Sequence, residues 1–182
     1  MRLTIFDLDN TLLAGDSDHL WGQFLADRGL VDGDHYRREN DRFFAQYEAG
    51  TLDIRAFLRF SLRMLARHDR GELERLRAAF VEERIAPRIA PGAPALLHRH
   101  RQSGDHLMIL TATNRFVTEP VAELLGVDTL LATEVERRQG QFTGEPTGTP
   151  CFREGKIERL RQWQAEHGCA PSETTFYSDS HN

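Results

Sequence analysis

The sequence predicts an α/β protein: a doubly wound parallel sheet with a helical bundle inserted after its first strand. Three observations carry this expectation. Leu3-Thr4-Ile5-Phe6 is a short apolar strand that runs directly into Asp7 and Asp9, as strands of an open parallel sheet do where their last side chains reach a ligand crevice. Leu107-Met108-Ile109-Leu110 is an apolar run without polar alternation, which suits a strand buried on both faces. Between the two, residues 15–87 carry helical periodicity, so the first strand is separated from the second by an insert rather than by one crossover helix.

The elements follow in order. After Leu13 the turn Ala14-Gly15-Asp16 leads into a helix over 17–28, in which Leu20, Phe24 and Leu25 form one apolar stripe. Asp18 and His19 begin it, where an acid suits the exposed N–H groups of the first turn. Gly29 and Gly33 bracket a break, and a helix over 36–49 ends before Gly50-Thr51. A third helix, over 53–67, carries Phe57, Leu58, Leu62 and Leu65; a fourth, over 71–84, carries Leu73, Leu76 and Phe80. These four are expected to pack as a small bundle that partly covers the sheet. Pro87 and Pro91-Gly92 end the helical pattern, so residues 1–14 and 88–182 are expected to form the core and 15–87 the insert.

Within the core, a helix over 93–102 feeds the Leu107 strand, which Thr111 ends. The helix that follows begins at Arg115, tolerates Pro120 near its start and stops at Gly126. Residues 130–136 and 141–143, separated by Gln139-Gly140, read as a strand and a short hairpin partner. A helix over 154–167 is expected to bury Ile157, Leu160 and Trp163. Thr174-Thr175-Phe176-Tyr177 is a last strand, delivering Asp179.

Composition narrows the function classes. The 182 residues are 40% hydrophobic and 28% charged, ordinary for a globular chain. Net charge is −5 with acids and arginines interspersed, so no basic stripe points to a nucleic-acid partner. The longest apolar runs are too short to cross a bilayer, which argues against a membrane. No secretory signal is visible, and Cys151 and Cys169 have no C-x-x-C spacing; both suggest a reducing cytoplasm. His98 and His100 are two apart in a helix and face different ways, so zinc is not expected.

Asp7 and Asp9, two residues apart in an extended segment, point to the same side. One can attack phosphorus and the other can exchange protons with a leaving group. Lys156 is the only lysine among 23 basic residues. In a chain otherwise committed to arginine, this marks a place where a compact ammonium is needed and a planar fork does not serve.

Asp7-Leu8-Asp9-Asn10-Thr11 after the first strand, Thr111 after the second, Lys156 at a helix start and Asp179 after the last strand occur in that order. The set resembles the haloacid dehalogenase-like hydrolases, in particular their phosphoserine-phosphatase-like branch, which inserts a helical cap between its first and second motifs. The resemblance implies a Rossmann-like core with a cap, and hydrolysis of a small phosphorylated metabolite. Asp7 would be the nucleophile that forms an aspartyl-phosphate, and Asp9 the acid and base. Thr111 and the backbone N–H groups after it would bind phosphoryl oxygens, while Lys156 balances their charge. Mg²⁺ would be held by the Asp7 carboxylate, the Asp9 backbone carbonyl and Asp179. An acid two residues after the nucleophile favours a phosphatase over a dehalogenase, which has no alkoxide to protonate. In this family a second aspartate follows within a few residues of Asp179; the sequence as given ends at Asn182, so the C-terminal part of the core is expected to be missing from it.

The cap would choose the substrate. Asp16 matches the cap-base acid that contacts the substrate amine in phosphoserine phosphatases. Their carboxylate-gripping arginine falls on Ser61, with Arg55, Arg59 and Arg63 nearby. A missing carboxylate clamp disfavours phosphoserine. Asp16-Ser17-Asp18-His19-Leu20-Trp21 and the segment from Thr111 to Thr118 look like a bacterial subgroup that includes histidinol-phosphate phosphatases. On that resemblance Asp16, Asp18, Trp21, Thr113 and Asn114 would bind substrate, the acids facing an amine or imidazole and Trp21 stacking. Simple helix capping is the other reading of Asp16 and Asp18. Phosphoserine phosphatase remains the alternative activity, and a receiver-like or non-catalytic phosphate-binding module the alternative class.

Overall fold

Alternation along the strands divides the core into two layers, one on each face of the sheet. The computed structural model describes residues 1–179; Ser180, His181 and Asn182, the tail of the last motif, lie outside the described residues. β1 (Arg2–Phe6) leads through the tight loop Leu8–Leu12 to four helices, α1 (Ser17–Asp27), α2 (Gly33–Glu48), α3 (Ile54–Leu62) and α4 (Arg70–Phe80). A wide turn, Val81–Ile85, and α5 (Ala93–Gln102) then return the chain to β2 (His106–Asn114). α6 (Arg115–Leu125), the hairpin β3 (Thr129–Arg138) and β4 (Gln141–Thr147), α7 (Glu154–Glu166) and β5 (Glu173–Tyr177) complete it.

The strand order is β4-β3-β2-β1-β5, parallel except for β4 against β3. The order reverses between β1 and β5, the place where open α/β sheets form a crevice at their carboxyl edge. Leu3, Ile5, Met108 and Leu110 pack with Leu131, Leu160 and Trp163 of α7. Phe6, Leu107 and Ile109 pack on the other face with Leu97 of α5, Val117 of α6 and the aromatic residues of α1. Tyr36, Phe43 and Phe60 form a separate small cluster between α2 and α3.

All four inserted helices begin at an aspartate whose side chain accepts a first-turn N–H: Asp16, Asp32, Asp53 and Asp69. Such caps contribute about 1 kcal/mol each. Asp32 is why α2 starts earlier than apolar spacing implies, at Gly33 instead of residue 36. α3 stops at Leu62, although Met64 and Leu65 beyond it stay buried. α7 differs from the expectation at one position: Ile157 is exposed and Lys156 buried, while Leu160 and Trp163 pack inward as expected. The inward face is Lys156, Leu160 and Trp163, an i, i+4, i+7 set, because the ammonium reaches under the sheet edge to a carboxylate. Among the described residues no helix is long and apolar enough to cross a membrane.

Candidate active site

Asp7 is the first residue past β1, and its N–H donates to the Tyr177 carbonyl of β5 at 2.9 Å. Its Oδ1 accepts the Leu8 N–H at 2.9 Å, and its Oδ2 accepts Lys156 Nζ at 3.1 Å. The pair is 149 residues apart in sequence and nearly dry, with Asp7 7% and Lys156 5% exposed. Close packing of the α7 N-terminus makes this reach possible: a Cβ on Gly155 would lie 2.0 Å from the Pro150 carbonyl oxygen.

Asn10 adopts the left-handed region, φ 55°, which asparagine tolerates better than most residues. The resulting bend holds Asp9 extended, with its carboxylate bridging two elements. Oδ1 accepts the Ser17 N–H at the start of α1 at 2.7 Å, and Oδ2 accepts the Thr113 hydroxyl of β2 at 3.0 Å. Burial, reinforced by the charge of Asp16, pushes the Asp9 carboxyl up to about 7. Near neutral pH it can therefore either give or take a proton. Thr11 ties in the last acid: the Asp179 N–H donates to Thr11 Oγ1 at 3.1 Å, and the Thr11 hydroxyl donates back to Asp179 Oδ1 at 3.4 Å.

These groups open on one cavity of about 350 Å³. Asp7, Asp9, Lys156 and Asp179 line it, and so do Asp16, Asp18, Thr113 and Asn114. Asn114 also accepts the Val117 N–H as the cap of α6. Asp16 caps α1 through the His19 N–H at 2.8 Å and also lies on the cavity wall. Asp18 is buried, and burial together with Asp16 and Asp9 pushes its carboxyl up to about 8.

Two expected residues are not on the wall. Trp21 is 1% exposed, stacked on Phe24 with ring centroids 5.6 Å apart and edge-on to Phe80 and Phe116. It shares the apolar stripe of α1, and burying a large indole against three rings outweighs exposing it for a ligand. Thr111 is fully buried. β2 runs on to Asn114, so the hydroxyl residue on the wall is Thr113, while Thr111 Oγ1 accepts the Thr113 N–H at 3.3 Å and lies 3.5 Å from Asp9 Oδ2.

Part of the site was not foreseen. Phe43 and Tyr47 of α2, Leu52, Phe57 and Leu58 near α3, and Phe152 supply an apolar wall; their spacing reads equally well as core. Ser17, fully buried, donates its hydroxyl to Thr113 at 3.3 Å and its N–H to Asp9. Among the described residues no arginine lines the cavity. Ser61 is buried and hydrogen-bonded to the Leu58 carbonyl, Arg63 lies over Phe60, and Arg59 pairs with Glu145. Among the described residues no three acidic, histidine or cysteine side chains form a ready metal cage. What the loop presents is two carboxylates, Asp7 and Asp179, beside the backbone of Asp9; these oxygen donors fit a hard divalent cation.

A family profile described as haloacid dehalogenase-like hydrolase matches residues 4–182. The chain belongs to that family. Histidinol-phosphatase of Neisseria meningitidis serogroup C (strain 8013) is 44% identical over 185 residues, spanning 100% of this chain and 83% of that protein. Phosphoserine phosphatase SerB1 of Mycobacterium tuberculosis (strain ATCC 25618 / H37Rv) is 31% identical over 183 residues, 97% of this chain and 58% of that protein. The chain thus spans little more than half the length of the mycobacterial relative. A crystal structure from Bordetella pertussis Tohama I, of a protein described as having unknown function, superposes with a TM-score of 0.92 at 43% identity, over 100% of this chain and 83% of that one. A substrate-bound phosphoserine phosphatase superposes with a TM-score of 0.67 at 18% identity, over 96% and 75% of the two chains, a likeness of fold. This haloacid dehalogenase-like hydrolase is an enzyme of the phosphatase type, in the phosphoserine-phosphatase-like branch.

Proposed function

We propose that the chain hydrolyses a small phosphomonoester whose alcohol is positively charged and lacks a carboxylate, with histidinol phosphate as the substrate. The observation that carries the phosphatase chemistry is the dry Asp7–Lys156 pair, 3.1 Å apart, in one cavity with Asp9 and Asp179. Asp7 attacks phosphorus, the bond from phosphorus to the alkoxide oxygen breaks, and Asp9 donates its proton to that oxygen. Water then attacks the aspartyl-phosphate, Asp9 takes the proton back, and inorganic phosphate leaves with Asp7 restored. Lys156 offsets negative charge on Asp7 and on the phosphoryl oxygens, and the Thr113 hydroxyl holds Asp9 in place. Mg²⁺, in general use in this family, would be held by Asp7, the Asp9 carbonyl and Asp179, and would supply charge neutralisation at the phosphoryl group. The helices of residues 15–87 serve as the cap that selects the alcohol.

Two features favour histidinol phosphate. The wall carries Asp16 and Asp18 and, among the described residues, no arginine, so a substrate carboxylate finds no guanidinium clamp there and two acids that repel it. The relative named histidinol-phosphatase is 44% identical across the whole of this chain. Phosphoserine is the second reading, favoured by the 31% identity to phosphoserine phosphatase SerB1. A phosphate-release assay with Mg²⁺ on histidinol phosphate, phosphoserine and sugar phosphates tests both. Histidinol phosphate is expected to be preferred, and Asp7→Asn to be inactive. A tenfold preference for phosphoserine would overturn the substrate assignment, and full activity of Asp7→Asn the mechanism.

A further inference from the structure

Asp16 and Asp18 sit two residues apart on the cavity wall but are held differently. Asp16 is engaged by the backbone, accepting the His19 N–H at 2.8 Å. Asp18 is 9% exposed, and its Oδ1, out of reach of solvent, accepts no hydrogen bond among the described residues. The charges around it are the wrong sign: Asp16 and Asp9, with burial, push its carboxyl up to about 8. The N-terminus of α1 favours an acid in its first turn without giving this oxygen a donor. Asp18 also lines the cavity, so a nitrogen donor on a bound ligand that reaches its carboxyl group supplies the partner this buried side chain lacks. The neighbouring wall sets what else that ligand can be, since Phe43, Phe57, Leu58 and Phe152 are apolar and no arginine lines the cavity among the described residues.

We propose that Asp18 is the specificity-determining carboxylate of this site: it pairs with a protonated nitrogen on the leaving alcohol, ammonium or imidazolium, while the apolar wall takes the flat carbon body. The proposal rests on the phosphomonoesterase reading above and names the residue that selects within it. The favoured ligand class is the phosphate ester of an amino alcohol bearing an unsaturated ring. An uncharged ester leaves Asp18 without a counter-ion, and a carboxylate beside it adds repulsion to three acids already close.

The test compares wild type with Asp18→Asn, using histidinol phosphate as the cationic ester and para-nitrophenyl phosphate as the uncharged one, both with Mg²⁺. The readout is the ratio of kcat/KM for the two esters. The variant is expected to lower this ratio about tenfold, through a raised KM for histidinol phosphate, and Asp18→Glu to recover part of the loss. A fall of fivefold or more supports the assignment; a smaller change, or a larger fall in Asp16→Asn than in Asp18→Asn, overturns it. A measurement on wild type alone guards against misfolded variants. Histidinol is expected to inhibit para-nitrophenyl phosphate hydrolysis at least tenfold more strongly than 3-phenylpropanol, an uncharged alcohol of similar size, and equal inhibition overturns the proposal. If wild type releases phosphate from neither ester, the phosphatase reading falls as well; hydrolysis of both with an unchanged ratio removes only the role of Asp18.

Discussion

Asp9 and Asp18 tie the stability of the protein to pH in a direction opposite to that of most paired carboxylates. Their carboxyls are pushed from the ordinary 3.8 up to about 7 and about 8, so the folded chain keeps protons that the unfolded chain has already released. Their contribution is fully favourable below about pH 4 and is lost as pH rises to about 8. Urea denaturation of the metal-free protein should therefore show stability decreasing between pH 5 and pH 8 from these two groups, with a shallower slope in Asp18→Asn; an unchanged slope in that variant would contradict the account. Lys156 makes a different residue-scale prediction. Lys156→Arg keeps the charge but replaces a compact ammonium with a planar fork in a position 5% exposed. A loss of about 100-fold in kcat is expected, and an activity near wild type would mean that charge alone suffices there. That Asp7, Asp9, Lys156 and Asp179 would converge was legible from the sequence: the four share one cavity. Trp21 was not, because a tryptophan on a helix stripe can serve a ligand or a core, and only the presence of Phe24, Phe80 and Phe116 decides between them.

At the scale of elements, short-range rules located nearly every helix and strand; the start of α2 departed from expectation through a local cap, Asp32, and the start of α7 through a tertiary contact. α5 spans the residues its flanking Pro91-Gly92 implied, and Gly126 ends α6 in the left-handed conformation, φ 67°. α7 departs from the expectation at its start because periodicity ranks Ile157 above Lys156 for burial, and cannot register that a carboxylate lies 149 residues away. Gly155 is the hinge of that arrangement. Gly155→Ala would set a Cβ 2.0 Å from the Pro150 carbonyl oxygen, and the backbone must shift, taking Lys156 with it. Activity is expected to fall about tenfold or more with helical content retained; circular dichroism beside kcat separates this from unfolding. Trp21→Ala should do the reverse, costing about 3–5 kcal/mol of stability while leaving the preference among phosphate esters as it is. A changed preference would return Trp21 to the binding site.

The whole molecule concentrates charge of one sign at the carboxyl edge of its sheet. Among the described residues five aspartates line the cavity with a single lysine, and a bound cation would relieve the mutual repulsion among them. A ligand at a hundred times its Kd stabilises by about 2.7 kcal/mol, which for a domain of this size raises Tm by about 5–10 °C. Thermal unfolding with and without Mg²⁺ should show this shift, and Asp179→Asn should diminish it; no shift at millimolar Mg²⁺ would count against the oxygen set proposed to hold it.

By itself the sequence determined the fold class, the order of its elements and the kinds of groups that meet at the sheet edge, because strand periodicity, aspartate caps and glycine stops act over a few residues. It also singled out Lys156 by its rarity alone. Only the tertiary structure decided which hydroxyl of β2 reaches the cavity, that Lys156 and not Ile157 turns inward from α7, and that Asp18 lies buried with an oxygen that accepts no hydrogen bond among the described residues while Asp16 caps its helix. The first two depend on contacts between segments 104 and 149 residues apart, and the third on burial of the α1 N-terminus in the cavity wall, where desolvation outweighs any local preference.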